Sequence, residues 1–402
     1  MRVIPIAAAG AAAPEIADAG IRLAALPPLA LYVHVPWCVR KCPYCDFNSH
    51  QADPGGVPEG DYVAALVADL ESALPDIWGR PVVSVFFGGG TPSLLSGRAV
   101  DGLLAAFRAR LTLLPDAEVT LEANPGTADA ARFADYRAAG VNRLSLGIQS
   151  FDDARLAALG RIHDGAEARR AIDLAARHFD NLNLDIMYGL PGQDLAGAAS
   201  DLATAIASGA PHLSAYHLTL EPNTPFHQAP PPLPDPDLAA DMQDRAEAML
   251  AAAGYAHYET SAFALPERRC RHNLNYWQFG DYLGIGAGAH GKLSFPDRIV
   301  RETRPRHPKD YMARAGTAAG RDRNQVELED LPFEFMMNAL RLNGGVATPL
   351  FEARTGLALA TMAERLADAR AEGLLESAAD RIAPTGRGRR FLNVLLRRFL
   401  PA

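Results

Sequence analysis

Three cysteines fall within eight residues, Cys38, Cys42 and Cys45. The spacing Cys-x3-Cys-x2-Cys supplies three soft thiolates from one tight loop. That suits an iron–sulfur cluster and leaves one cluster iron without a protein ligand, open to a small molecule. The same positions are also helical i,i+4 and i,i+3 neighbours, and free cysteine is often only a small buried apolar residue. Pro36 and Pro43 disfavour a continuous helix here, while Arg40, Lys41 and Asp46 make the loop polar. Zinc is the rival ligand, because Cys270 or His272 would complete a set of four.

Further chemistry-bearing positions recur after short apolar runs. Gly88-Gly89-Gly90-Thr91-Pro92 lets the backbone approach a ligand and point N–H groups at a carboxylate or phosphate. Glu122 with Asn124, then Gln149, then Asp185 ahead of Gly189-Leu-Pro-Gly192, and finally Glu221, each end such a run. The segment Cys270-Arg-His-Asn-Leu-Asn-Tyr-Trp277 holds an imidazole, a thiol and two large aromatics. His272 could ligate a haem iron, with Cys270 a second thiolate candidate and Tyr276 and Trp277 stacking on a porphyrin face. Core aromatics around a satisfied buried histidine would read the same way. The glycine run 284–289 matches a dinucleotide fingerprint on paper, but no βαβ unit surrounds it; His290 after that turn could face the site, although an isolated histidine there is more often structural.

The elements that must position these residues follow from periodicity. Strand-like runs at 31–35, 82–87, 118–122, 143–148, 182–187 and 213–219 alternate with helical patterns such as 61–74, 128–139, 166–178 and 196–208. Six βα units whose strands all end in polar or glycine-rich loops predict an α/β fold, an open (βα)6 partial TIM barrel with its site at the carboxyl-terminal rim. The proline-rich stretch 221–237 reads as a boundary before an amphipathic helix at 238–253. The expected organisation is an amino-terminal extension at 1–29, the barrel at 30–255, a β-rich extension at 256–307, and a small, mainly helical, winged-helix-like domain at 308–402.

Composition narrows the partners. The chain has 402 residues and a net charge of −8, which argues against a general nucleic-acid surface. Arg298, Arg301, Arg304 and Arg306 read as a solvated face, with an anion or propionate site as the alternative. Four cysteines, three of them crowded together, do not make a secreted disulfide framework, and the Ala-rich start is a poor signal peptide, so a cytoplasmic location is expected. No stretch reaches the length of a spanning helix, which leaves peripheral membrane contact compatible with the sequence. A symmetric oligomer would leave no periodicity to read.

Taken together, Tyr32-x-His-x-Pro-x-Cys-x3-Cys-x2-Cys45, the Gly-Gly-Gly-Thr-Pro92 turn, Gln149 in Gly-Ile-Gln-Ser-Phe and Asp185 in Asp-Ile-Met-Tyr-Gly-Leu-Pro-Gly resemble the radical S-adenosylmethionine superfamily. The resemblance implies a [4Fe-4S] cluster on Cys38, Cys42 and Cys45, its fourth iron chelated by S-adenosylmethionine. It also implies that Gly88, Gly89, Gly90 and Thr91 approach the methionyl group and that Glu122, Gln149, Arg161 and Asp185 bind the rest. Tyr32 would lie close by and Tyr44 next to the adenine. An electron from the reduced cluster would cleave the sulfonium to give a 5′-deoxyadenosyl radical, with the protein positioning the cofactor and excluding water.

Within the superfamily the chain resembles the branch that contains oxygen-independent coproporphyrinogen III dehydrogenase and the HemW-type haem chaperones. The dehydrogenase pattern adds a fourth cysteine two residues after the triad, where this chain has Phe47. His272, Asn273, Tyr276 and Trp277 match the His-Asn-x-x-Tyr-Trp motif of the chaperone branch. The resemblance therefore implies haem as cargo, a haem-acceptor protein, and an electron donor for the cluster. The alternative reading is a radical oxidoreductase acting on a porphyrinogen or another small organic substrate.

Overall fold

The computed structural model describes residues 20–127 and 130–401. Most of the amino-terminal extension and the start of the helix expected at 128–139 therefore lie outside the described residues. Strand β1 (Leu29–Val35) is buried along nearly its whole length, as the central strand of a sheet covered on both faces must be. A parallel ribbon of β2 (Trp37–Cys38) and β3 (His50–Gln51) closes the loop that carries the remaining two clustered cysteines.

Strands β4 (Pro81–Gly89), β5 (Thr112–Ala123), β6 (Arg143–Gln149), β7 (Leu182–Tyr188) and β8 (His212–His217) follow in parallel, each next to the one before it. Helices Glu59–Ile77, Gly97–Arg110, Ala130–Ala139, Gly165–Ala176, Leu195–Ala207 and Pro236–Ala252 complete six βα units. Local sequence starts several of them. Ser96 caps the second helix by accepting from Ala99 N, Asp164 and Glu167 form a reciprocal capping box, and Asp194 and Asp235 cap the last two. The sheet remains open, as expected for a partial barrel.

The stretch expected as one β-rich extension divides between the two edges of that sheet. Strands β9 (Ala256–Glu259) and β10 (Ala262–Ala264) extend it beyond β8, whereas β11 (Asp281–Ile285) lies parallel beside β1 at the other edge of the barrel. Beyond it, antiparallel β12 (His290–Phe295), β13 (Arg298–Thr303) and β14 (Asp322–Gln325) complete twelve strands. The carboxyl-terminal helices and a small ribbon of β15 (Val346–Ala347) and β16 (Arg381–Ile382) pack around an apolar core that extends into the β-rich region. Phe335, Phe351 and Phe399 share theirs with Tyr258, Phe279 and Ile299 of the β-rich region.

The expected solvated arginine face holds only in part: Arg306 and much of the Arg298 side chain are open to solvent, whereas Arg304 is drawn inward. Arg304 is buried and donates through Nε to Asp69 Oδ1 at 3.0 Å and through Nη1 to Glu302 Oε2 at 3.0 Å. Arg301 bonds Glu334 and the Tyr282 hydroxyl. A second buried pair fastens β11 to β12: Lys292 Nζ lies 2.7 Å from Asp281 Oδ1, and Arg80 bonds the other oxygen at 2.7 Å. Removing one partner of such a pair strands the other charge in the core. Asp281→Ala is expected to lower stability by about 3–5 kcal/mol in urea unfolding, and a loss below about 1 kcal/mol would contradict this role.

Candidate functional site

The cysteine loop is braced before it meets any ligand. Cys45 N donates to the Cys42 carbonyl at 3.2 Å, and Lys41 Nζ donates to the carbonyls of Phe47 at 3.3 Å and Ser49 at 3.1 Å. The three thiols are half-buried and reduced. Burial raises the Cys38 and Cys45 thiols above their ordinary range, and nearby hydrogen bonds, from Thr91 and Ser49 to Cys38 and from Phe47 to Cys45, oppose it. Among the described residues no three His, Cys, Asp or Glu side chains converge as a single metal ion requires. Three thiols presented by one loop suit a multi-iron cluster, whose thiolates bind different irons.

The glycine turn at the end of β4 closes on this loop. Gly90 N and Thr91 N donate to the carbonyls of Val35 and Trp37, both at 2.7 Å. A Cβ at Gly90 would lie 2.5 Å from the Trp37 carbonyl oxygen, and Gly89 has φ +110 with the His34 ring 2.6 Å from where its Cβ would stand. Only glycine allows this approach.

Gly89, Gly90 and Thr91 line one cavity of about 340 Å3 together with all three cysteines. Tyr44, Glu122, Gln149, Arg161 and Asp185 line the same space, although they come from five different segments. Arg161 ties several of these together, donating to Cys42 Sγ at 3.7 Å, to Asn124 Oδ1 at 2.5 Å and to the Gly147 carbonyl at 2.7 Å. Gln149 holds φ +68, rare for a residue with a side chain, and its Oε1 accepts from the Tyr216 hydroxyl at 2.8 Å. Asp185 accepts from Asn183 at 2.9 Å and Ser145 at 3.2 Å, yet burial still raises its carboxyl above the ordinary range.

A second cavity, of about 700 Å3, adjoins the first and shares Phe47, Gly89, Glu122 and Trp277 with it. Tyr32 and Tyr276 line this second space, and Phe47 is 61% exposed at the junction. Gly88, His272, Cys270 and Glu221 line neither cavity. His272 is 1% exposed, with Nδ1 2.8 Å from the Ser84 hydroxyl and Nε2 2.8 Å from that of Tyr276. Its ring stacks on Phe86, and burial, with the charge of Arg143 second, holds its pKa down to about 3. Cys270 is fully buried against Glu118, and burial pushes its thiol up to about 12. The residues expected to ligate haem thus separate, with the aromatics facing space and the imidazole and thiol packed behind them. Neither Cys270 nor His272 lines the cavity that holds the cysteine loop.

Tyr216 and Arg341 escaped the sequence reading. Tyr216 carries only a strand's alternation as a signal, and Arg341 none, since it reaches the site from the carboxyl-terminal region. His290 stands exposed at the edge of the second cavity.

Glu122 is the most perturbed carboxyl at the site. Burial, reinforced by Asp185, pushes its pKa up to about 8, with only the Gly89 N–H and Arg143 opposing. The folded state therefore binds a proton that the unfolded chain releases near pH 4.5, so stability falls as pH rises from about 4.5 to 8. Glu122→Gln is expected to flatten that slope in ligand-free protein and to raise the melting temperature at pH 8 but not at pH 4.5. Parallel stability curves for the two proteins would contradict it.

Comparison with known proteins places this geometry. Residues 32–201 match the radical SAM superfamily, and residues 326–391 match the HemN C-terminal domain. The superfamily match implies a [4Fe-4S] cluster and S-adenosylmethionine as cofactors. The solved coproporphyrinogen III oxidase (HemN) from Escherichia coli, a radical SAM enzyme, shares the fold with a TM-score of 0.78 at 24% identity, over 93% of this chain and 90% of that one. Heme chaperone HemW from Haemophilus influenzae is 47% identical over 381 residues, 93% of this chain and 98% of the relative. Heme chaperone HemW from Escherichia coli strain K12 is 53% identical over 377 residues, 93% of this chain and 99% of the relative. With such identity spanning almost the whole of both chains, this protein belongs to the HemW family of the radical SAM superfamily.

Proposed function

We propose that this protein binds haem and delivers it to an acceptor protein, on a scaffold whose cluster and S-adenosylmethionine sites govern the transfer. The observation that carries this reading is the pair of adjoining cavities. One is lined by thiols, carboxylates and glycine, the other is walled by aromatics and arginine, and Phe47 stands where the dehydrogenase pattern has a cysteine. The relatives named heme chaperones support it.

In this reading Cys38, Cys42 and Cys45 hold the cluster, which supplies electron transfer and one open iron site. Arg161 and Gln149 would offer donors to an anionic group, Glu122 and Asp185 would offer acceptors to a cationic one, and Tyr44, in the cavity wall, would pack beside the adenine. Tyr276 and Trp277 present aromatic surface to a macrocycle, while His272 orients Tyr276 from behind through its Nε2 contact. Tyr32 braces the wall between the cavities through His34. The acceptor is a protein that takes up haem, and a reductant serves the cluster. The free thiols fit a reducing cytoplasm. Among the described residues no helix is long and apolar enough to cross a membrane.

Anaerobic reconstitution with iron and sulfide tests this directly. The expected result is about four irons and four sulfides per chain, an EPR signal that changes on adding S-adenosylmethionine, and transfer of bound haem to an apo-haemoprotein. Cys38→Ala, Cys42→Ala and Cys45→Ala should each abolish the cluster signal. Conversion of coproporphyrinogen III to protoporphyrinogen IX would overturn the chaperone reading, and one zinc with no sulfide would overturn the cluster.

A further inference from the structure

The second cavity contains groups that the cysteine site does not use. Its volume, about 700 Å3, lies within the range of sites that enclose a small organic molecule. One wall is aromatic: the Tyr276 and Tyr282 rings meet edge-on with centroids 4.4 Å apart, and Trp277 continues the surface. Two buried donors here lack acceptors. The Trp277 indole N–H and Arg304 Nη2 are both enclosed without a hydrogen-bond partner, although Arg304 is 3% exposed and its other nitrogens are bonded. Buried donors left unmet cost free energy, so they mark places where a ligand oxygen would be held.

Two imidazoles line this space, and they differ in one decisive respect. His34 is committed, with Nδ1 3.1 Å from the Tyr32 hydroxyl and Nε2 2.8 Å from the Asn48 carbonyl. His290 is exposed, and neither of its ring nitrogens is hydrogen-bonded by another described residue. Arg306, at the same edge, has no ion-pair partner among the described residues.

The two stand on one braced ledge. His290 pairs with Thr303 across β12 and β13, Arg304 N donates to the Ala289 carbonyl, and Gly288 N donates to the Pro305 carbonyl, both at 2.9 Å. Asn48, three residues after the last clustered cysteine, donates to the carbonyls of Ala287 at 3.0 Å and Arg306 at 2.8 Å. Asp46 and Glu122 are the acidic groups of the cavity.

We propose that this cavity is the haem seat, with the His290 imidazole as an axial ligand of the haem iron and the Arg306 guanidinium as the partner of a propionate. The inference rests on the haem-delivery reading and assigns its site. The bond formed is a dative one from an imidazole nitrogen lone pair to iron, with no change of oxidation state. The macrocycle lies against Tyr276, Tyr282 and Trp277, next to the cluster cavity, and the Asn48 clasp ties the ledge under the haem to the loop under the cluster. His272, with both nitrogens engaged, supports the aromatic wall.

Titration of the cluster-reconstituted full-length protein with ferric haem, read by the Soret band and by EPR, tests the assignment. Wild type should give an imidazole-ligated spectrum. His290→Ala should lose that signature and bind haem about ten-fold or more weakly, with added free imidazole restoring the spectrum. His290→Met should show a thioether-ligated spectrum instead, while the surface variant His307→Ala stays as wild type. Arg306→Ala should weaken haem but leave the affinity for the haem dimethyl ester unchanged. A wild-type spectrum and affinity in His290→Ala, with the cluster intact, would overturn the seat while leaving haem delivery standing. If wild type itself takes up no haem, the delivery reading fails instead.

Discussion

The carboxylate of Asp69 fixes the geometry on which both cavities depend. It sits on the first barrel helix, nearly enclosed, and accepts from Arg304 and, at 3.0 Å, from the Tyr311 hydroxyl. Gly286 N donates to the same Tyr311 oxygen at 3.1 Å, and Ala287 N donates at 2.9 Å to Tyr62, whose hydroxyl donates to the His34 carbonyl at 2.7 Å. Arg304 is in turn held by Glu302, which also pairs with Arg323. A chain of buried polar groups thus locks the turn between β11 and β12 onto β1 and its helix. In a low dielectric such a network is costly wherever a member is left unsatisfied, and Arg304 Nη2 is the nitrogen of this guanidinium that has no partner.

At the rim, the same desolvation works in the opposite sense. Glu122 and Asp185 are buried near each other without a fully compensating cation, so both carboxyls resist ionisation. Arg161 is committed to Cys42, Asn124 and Gly147, and Gln149 is held at a strained φ. A pocket with unneutralised acceptors and a positioned guanidinium is organised for a ligand that carries both signs of charge, as an amino-acid sulfonium does. The stabilising packing lies elsewhere, in the apolar layers between the sheet and its helices.

The two cavities meet at Phe47, Glu122 and Trp277, so a ligand in one forms part of the surroundings of the other. Trp277 bears on the point most directly, since the Arg341 guanidinium lies 4.4 Å from its ring centroid while its indole N–H remains unpaired. The carboxyl-terminal region reaches the two cavities through Arg341 and Asn338. Its core is continuous with that of the β-rich region, including Ile299 of β13.

Sequence alone determined whatever is set by neighbours a few residues apart. Cysteine spacing marked a cluster loop, apolar runs broken by capping residues marked six βα units, and the polar ends of those strands marked one rim. Phe47 and the His272–Trp277 segment were legible as departures from one pattern and matches to another. Tertiary structure decided what depends on long-range pairing and burial. Parallel registry of β11 against β1, Tyr32 opposite Gly284, sends His272 and Cys270 behind the aromatic wall and brings His290 to a cavity edge. Pairing of β13 with β12 turns Arg304 from a candidate surface charge into a buried ion pair with Asp69 and Glu302. Spacing fixes which side chains are close along the chain, but strand order and desolvation set which polar atoms find partners and which are left open to a ligand.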